Sequence, residues 1–318
     1  MTGTVSSSAA IAYLGPAGTF TEAALRSEPD LAAAKLMPVE SFARILDAVS
    51  GGEADYGFVA IENSIEGTVN LALDQLIFDR DLLIVREVAL GVTQSLLARP
   101  GTRVEDVTRV VSFPHATAQC RAWLAANLPD AAESAATSTA EAARLVATEL
   151  PAGTAAIGTA LAAELYHLEV LVDDIADHAG NVTRFVLLAR PEAGVPAPSG
   201  HDKTTIVCFQ SDDRPGSLHR ILGEFSARDI NLVKLESRPT KQGLGDYCFI
   251  IDFEGHVADE VVADCLRDLH AGLRELQFLG SYPAAGEHGE GRRRDASAAW
   301  QAADEWIDRI RRSIHPAS

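Results

Sequence analysis

Pro191-Glu192-Ala193-Gly194-Val195-Pro196-Ala197-Pro198-Ser199-Gly200 is the stretch that divides this chain. It is rich in Pro, Gly and Ala and has no apolar periodicity, so it reads as a linker. The pattern changes across it. The residues before it alternate short apolar runs with helical patterns, the signature of α/β architecture. The residues after it spell strand, helix, two strands, helix and strand, the βαββαβ order of a ferredoxin-like module. The expected division is a domain over 10–190 with two lobes, a linker over 191–202, a second domain over 203–283, and a polar tail over 284–318.

In the first domain, Ile11–Leu14 reads as a strand, Gly15-Pro16-Ala17-Gly18 as a turn, and Thr19-x-x-Glu22 as a capping box that opens a helix. Tyr56–Ile61 is a further strand. A helix is expected from about Ile65, with Val69, Leu73, Leu76 and Ile77 on one face. Leu82–Val88, Val92–Ala98 and Val110–Phe113 read as strands, and a helix holds Cys120, Trp123 and Leu124. Ser138-x-x-Glu141 caps another helix, Ala155–Ile157 is a strand with Gly158-Thr159 starting the next helix, and Arg184–Ala189 is the closing strand. In the second domain, Thr204–Gln210, Asn231–Ser237, Tyr247–Phe253 and Leu273–Tyr282 are the strands. One helix starts with Pro215 at its first position. The other carries Val261, Val262, Cys265, Leu266 and Leu269. Gly243 and Gly245 mark a turn, Gly289–Arg294 a solvated charged run, and Trp300, Trp306, Ile307 and Ile310 a short amphipathic helix.

Bulk properties exclude several function classes. With 318 residues, 47% of them apolar and 23% charged, the chain has the composition of a two-domain globular protein. The net charge of -18 argues against nucleic acid and anionic membrane as partners, because both need a basic footprint. An anionic ligand must then be held by local donors such as a helix N-terminus. No apolar run reaches the ~18 residues of a membrane span. The first ten residues lack the basic and apolar regions of a signal peptide. Cys120, Cys208, Cys248 and Cys265 are scattered, three of them in apolar segments, and read as buried free thiols of a cytoplasmic protein.

The chemistry is bounded in the same way. Lys35 is the one lysine before the linker, so Schiff-base chemistry is improbable. His115, His167 and His178 have no metal-ligand spacing. No GxSxG elbow, Walker loop or dinucleotide fingerprint is present, so no cofactor is expected. Hydroxyls and amides at strand ends remain. Asn63 offers a neutral donor and acceptor, and Ser64 a helix cap, though both can be caps alone. Ser112 ends a strand ahead of Gln119. Thr183 can donate a hydrogen bond or proton. Arg184 can clamp a carboxylate or pair with the acidic loop Asp173, Asp174 and Asp177, and the residues alone leave both open.

Four stretches then take on a common meaning: Tyr13 through Glu22, Ile61-Glu62-Asn63-Ser64 with Gly67 and Asn70, Ser112 through Cys120, and Asn181-x-Thr183-Arg184-Phe185. In this order they resemble the prephenate dehydratase family. The resemblance implies a two-lobed catalytic domain similar to periplasmic binding proteins, with the site in the cleft. It implies that Asn63, Ser112, Gln119 and Thr183 are the catalytic positions, with Thr19, Ser64, Arg184 and Phe185 as substrate contacts. The implied reaction is loss of water and carbon dioxide from prephenate, giving phenylpyruvate, with Thr183 as donor to the leaving oxygen. A threonine is a poor acid, so a bound water can take part.

The second domain resembles a phenylalanine-sensing ACT domain through Arg214-Pro215-Gly216-Ser217-Leu218 and Glu236-Ser237-Arg238-Pro239. Ser217 stands where the family motif usually has Ala. The resemblance implies phenylalanine as allosteric effector, bound where two such modules meet and contacted by Gly216, Ser217, Leu218, Asn231, Glu236 and Ser237, in a homodimer or homotetramer. Two other functions stay open: an arogenate dehydratase, and a non-catalytic protein that senses an aromatic metabolite.

Overall fold

The computed structural model describes residues 4–210, 214–241, 246–285, 305–307 and 309–312. The described chain forms two compact units. One comprises Thr4–Asp81 and Val88–Arg190; the other comprises Leu82–Glu87 and the residues from Pro191 onward.

The larger unit starts with β1 (Ala10–Leu14), α1 (Phe20–Ser27), α2 (Pro29–Ala32), β2 (Lys35–Val39), α3 (Phe42–Ser50), β3 (Tyr56–Asn63), β4 (Gly67–Thr68) and α4 (Asn70–Phe78). β5 (Leu83–Gly91) begins among the residues of the other unit and ends in this one. Then come β6 (Ser95–Ala98), β7 (Arg109–Ser112), α5 (Pro114–Gln119), α6 (Arg121–Asn127), β8 (Ala132–Ala135), α7 (Thr139–Thr148), β9 (Thr154–Gly158), α8 (Ala160–Leu165), β10 (Glu169–Val172) and β11 (Val182–Ala189). The strands fall into two sheets, of order β2-β1-β3-β11-β5 with β4 on β3, and β10-β6-β9-β7-β8. Each sheet is one lobe. The chain passes between the lobes twice, after β5 and before β11. This is the two-lobed α/β arrangement expected of the first domain.

Burial explains the first lobe. β3 is buried on both faces at Gly57, Phe58 and Val59. The buried face of α3 (Ile45, Leu46, Ala48, Val49) packs on it. Gly57 permits this approach, since a Cβ there would stand 2.8 Å from Ile45 Cγ2. Phe58 stacks on Phe185 of β11 with ring centroids 5.2 Å apart and planes at 7°. Cutting back such a buried aromatic typically costs about 3–5 kcal/mol.

The structure departs from the sequence reading in instructive places. The helix expected from Ile65 begins at Asn70. Gly67, at φ +80°, instead turns the chain so that β4 pairs back onto Glu62 and Asn63. Ser64 therefore caps no helix, and its Oγ accepts from the Val182 N–H at 2.9 Å. The helix of Cys120, Trp123 and Leu124 is broken at Cys120 into α5 and α6, which leaves Gln119 at a helix end. The Thr19 and Ser138 caps form as expected, each accepting from the N–H three residues on. Glu22 reaches back to the Gly18 N–H at 2.7 Å, not to the N–H of the capping residue.

The second unit contains β12 (Asp202–Phe209), α9 (Ser217–Ser226), β13 (Leu232–Pro239), β14 (Tyr247–Glu254), α10 (Glu260–Gly272) and β15 (Glu275–Pro283). Its sheet order is β13-β14-β12-β15, all antiparallel, so the expected βαββαβ order is present. Its core joins Ile206, Cys208, Ile221, Phe225, Ile251, Phe253, Val262, Cys265 and Leu269. Gly216, in the left-handed region at φ +86°, is the residue that caps α9. Pro215 thus precedes the helix and is not its first residue. The Gly243 and Gly245 turn, the Gly289–Arg294 run and Trp300 lie outside the described residues. Trp306, Ile307 and Ile310 lie in short helical stretches and are exposed. All four cysteines are free and buried. No helix among the described residues is long and apolar enough to cross a membrane.

Candidate active site

β3 and β11 run antiparallel, and their pairing places Asn63 opposite Thr183. The register shifts between Arg184 and Phe185, and such irregularities commonly re-aim a side chain beside a site. Asn63 Oδ1 accepts from the N–H groups of Ile65 and Glu66 at 2.9 and 3.0 Å. That pins the amide, so its Nδ2 faces away from the turn. Nδ2 donates to Thr183 Oγ1 at 2.9 Å and to Asn181 Oδ1 at 2.7 Å.

The remaining amides follow from this one fixed end. Asn181 accepts from Asn63, so its Nδ2 points to Gln119 Oε1, 3.4 Å away. Gln119 Nε2 then donates to Glu66 Oε1 at 3.2 Å. The other Glu66 oxygen is 3.4 Å from His115 Nδ1. Thr183 stands at the end of this chain. It accepts from Asn63, and no acceptor among the described residues takes its own O–H.

These residues line a cleft of about 850 Å³ between the lobes. One wall carries Thr19, Phe20 and Thr21 at the start of α1; the other carries Thr137, Ser138 and Thr139 at the start of α7. None of the lining residues is Lys or Arg, while Glu40 and Glu66 are among them. An anionic substrate must therefore be met by amides, hydroxyls and the positive ends of helices. Among the described residues no group of three His, Cys, Asp or Glu is placed to hold a metal ion. Behind α1, Tyr13 donates to Glu22 at 3.1 Å; burial and the Glu22 charge hold its phenol well above the ordinary range.

The residues expected from the sequence separate into two sets. Asn63, Gln119, Thr183 and Thr19 line the cleft, with Ser64 beside them in the Asn63 turn. Ser112 is fully buried, and its hydroxyl donates to the Ile157 carbonyl at 2.8 Å, tying β7 to β9 behind the cleft wall. Arg184, 12% exposed, is 3.3 Å from Glu62 of β3, a pairing within its own sheet. Phe185 belongs to the core. Asn181, which the sequence marks only as part of a motif, and Gln94 also line the cleft, though neither was among the expected site residues. Asn181 was within reach, because it lies two residues before Thr183 and period-2 spacing puts both on one face. Gln94 sits in a run that reads as apolar strand and carries no local signal.

In the second unit, Gly216 and Ser217 open α9 with Leu218 one residue further on, Asn231 precedes β13, and Glu236 and Ser237 lie on β13. β13 is an edge of its sheet. The Glu236 carboxylate is 3.5 Å from Lys234 Nζ and 3.8 Å from Arg238 Nη1.

A two-lobed α/β domain with an amide and hydroxyl cleft, followed by a ferredoxin-like module, defines the class of this protein. The chain matches the family model for prephenate dehydratase over residues 11–193 and that for the ACT domain over residues 204–271. It belongs to the prephenate dehydratase family. It is 43% identical over 304 residues to the prephenate dehydratase of Mycolicibacterium vanbaalenii, covering 91% of this chain and 96% of the relative. Its structure is similar to that of prephenate dehydratase from Arthrobacter aurescens in complex with L-Phe, with a TM-score of 0.86, 41% identity, and coverage of 96% of this chain and 100% of the other. It is also similar, at a TM-score of 0.77 and 30% identity over 87% of this chain and 98% of the other, to GqqA, described as a novel type of quorum quenching acylase. Since one fold can host more than one chemistry, function has to be argued from the site.

Proposed function

We propose that this protein is a lyase that converts prephenate to phenylpyruvate, with phenylalanine as feedback effector. The observation that carries this reading is the Thr183 hydroxyl, which accepts from Asn63 and keeps its proton free for the cleft. Prephenate has a ring hydroxyl and a ring carboxylate on opposite ring carbons. Thr183 donates to the hydroxyl oxygen as that carbon–oxygen bond breaks. The ring–carboxylate bond breaks as well, its electron pair enters the ring, and carbon dioxide departs. Aromatisation drives both steps. The Asn63 N–H stabilises the negative charge growing on Thr183 Oγ1, which offsets the poor acidity of a threonine. The oxygen regains its proton from water, so one proton is consumed overall. A placed acid typically contributes about 10²–10⁴-fold, and positioning the rest.

The absence of Lys and Arg from the cleft lining suits this chemistry, since such a cation clamped on the ring carboxylate would oppose its departure. Phenylalanine binding is assigned to the ACT module, at Gly216, Ser217, Leu218, Asn231, Glu236 and Ser237, in a homo-oligomer that brings two modules together. The L-Phe complex of the Arthrobacter aurescens relative supports this. The test is steady-state turnover of prephenate and arogenate side by side, with and without phenylalanine. A clear preference for prephenate and inhibition by phenylalanine are expected. Turnover of neither substrate refutes the proposal.

A further inference from the structure

We propose that Gln94, together with the first N–H groups of α7, forms the seat for the substrate carboxylate that is retained in the product. Gln94 is 3% exposed and lines the cleft. Its backbone carbonyl accepts from the Ile175 N–H at 2.7 Å, which fastens the two crossings between the lobes together. Its side-chain amide makes no hydrogen bond among the described residues, and its buried Oε1 has no partner. An orphaned amide of this kind costs stability and calls for an explanation such as a missing ligand.

The neighbouring structure points to an anion. Ser95, the next residue, pairs with Gly158 across β6 and β9. A Cβ on Gly158 would stand 3.4 Å from the Thr139 carbonyl, so the first turn of α7 lies close over this strand pair. The Ser138 hydroxyl satisfies the Glu141 N–H, and the first backbone bond of the helix runs from Ala142 to Ser138. The N–H groups of Thr139 and Ala140 precede that bond and have no intrahelical acceptor. Ser138 and Thr139 line the same cleft as Gln94, in which no Lys or Arg competes for an anion. The Gln94 amide can turn its Nε2 to a carboxylate at no loss, since neither end of it is bonded.

Prephenate offers two carboxylates, and the choice between them follows from the proposed reaction. Donors that grip the ring carboxylate would stabilise the ground state and hinder its loss as carbon dioxide. Donors that grip the side-chain 2-oxo carboxylate bind substrate and transition state alike. That assignment rests on the dehydratase reading; the anion seat itself rests on geometry.

The experiment titrates the full-length protein and its Gln94→Leu, Gln94→Met and Gln94→Glu variants with phenylpyruvate, which has the side-chain carboxylate alone. The same proteins are titrated with 1,4-dihydrobenzoate, which has the ring carboxylate alone. Loss of one hydrogen bond to a charged group should weaken phenylpyruvate binding by about 10–100-fold in Gln94→Leu and Gln94→Met. Gln94→Glu, which sets a like charge against the ligand, should weaken it further. Dihydrobenzoate binding should not respond. The KM for prephenate should rise with kcat within about threefold, the mark of uniform binding. Thermal unfolding should show Gln94→Leu no less stable than the parent, and Gln94→Met serves if Leu is not tolerated. Phenylpyruvate binding that is absent from the parent or unchanged in the variants overturns the seat, as does loss of dihydrobenzoate binding instead. Failure of the parent to turn over prephenate refutes the dehydratase reading, and the phenylpyruvate titration is still decisive for the seat.

Discussion

Asn63 Nδ2 lies 2.9 Å from Thr183 Oγ1, across two antiparallel strands and 120 residues of chain. The direction of that bond matters more than its length. Two backbone N–H groups hold the Asn63 oxygen, so the nitrogen is the end presented to threonine. The donor leaves the threonine proton unused.

Replacing Asn63 by Asp tests that direction. One carboxylate oxygen keeps the Ile65 and Glu66 N–H groups, so the turn survives. The other faces Thr183 as an acceptor and draws in the proton meant for the substrate. We expect kcat to fall about 10²–10³-fold, the usual loss on removing one such donor. Protonating the new carboxyl restores an O–H in the place of the amide. The kcat of this variant should therefore climb as pH falls, and a pH profile parallel to the parent's would count against the role.

Thr183→Ala removes the donor itself. The expected loss in kcat is about 10²–10⁴-fold with a smaller change in KM, and Thr183→Ser should recover much of it because the hydroxyl is kept. Near-normal kcat in the alanine variant would end the assignment.

How far the sequence could be read depends on how local each feature is. The two domain types, the Thr19 and Ser138 caps and most strands are written in runs of a few residues. Asn63, Thr183 and Gln119 were within reach because each ends or follows such a run, and because the motifs around them resemble a family. The pairing of Asn63 with Thr183 is a property of sheet order and register, which no local pattern encodes. Ser112 and Arg184 carry the right chemistry in the right motif, yet a backbone carbonyl and a carboxylate already engage them. Gln94 is the reverse case: nothing nearby marks it, and its meaning lies in a missing partner.

The buried thiols make a prediction about alkaline pH. Burial pushes Cys120, Cys208 and Cys265 up to about 12 from an ordinary 9.0. Their folded values lie above their unfolded ones, so the stability they confer is whole below pH 9.0 and lost as pH rises toward 12. Urea unfolding should show a midpoint that falls across that window, and substituting Ala for Cys208 should make the fall shallower. Native protein at neutral pH should react with no thiol reagent, while the unfolded chain should expose all four cysteines. Rapid labelling of the native form would contradict the burial.

Ending the chain near Ala189 should leave turnover but lower stability. Within the unit that holds Leu82–Glu87, the Glu87 carboxylate is bonded to Lys203 Nζ at 2.9 and 3.0 Å and to the Ala285 N–H at 2.8 Å. Truncation strips these partners from a group 6% exposed in the intact chain. Breaking a buried pair costs up to about 3–5 kcal/mol, and less here because Lys203 is a fifth exposed. Glu87→Gln in the full chain should lower its melting temperature, whereas the same change in the fragment, which has lost these partners, should change it little. An equal response in both would show that these partners contribute nothing.

Phenylalanine should inhibit through the ACT module and not by occupying the cleft. Gly216 holds a positive φ at the start of α9, where the Ser217 N–H is taken by the Arg214 carbonyl and the N–H groups of Leu218 and His219 precede the first backbone bond of the helix, so that an α-carboxylate can be received there. An effector bound there alters turnover only through different affinities for two states of the protein, with a coupling of typically about 1–3 kcal/mol. The coupling is reciprocal, so prephenate must weaken phenylalanine binding by the factor by which phenylalanine weakens prephenate binding. Leu218→Ala and Ser237→Ala should each relieve inhibition and leave uninhibited kcat unchanged, because neither residue lies in the cleft lining. Titrating phenylalanine against Leu218→Ala and Thr183→Ala separates the two sites. Binding that persists in the Leu218 variant and vanishes in the Thr183 variant would place phenylalanine in the cleft as a product-like competitor, and the regulatory reading would fall.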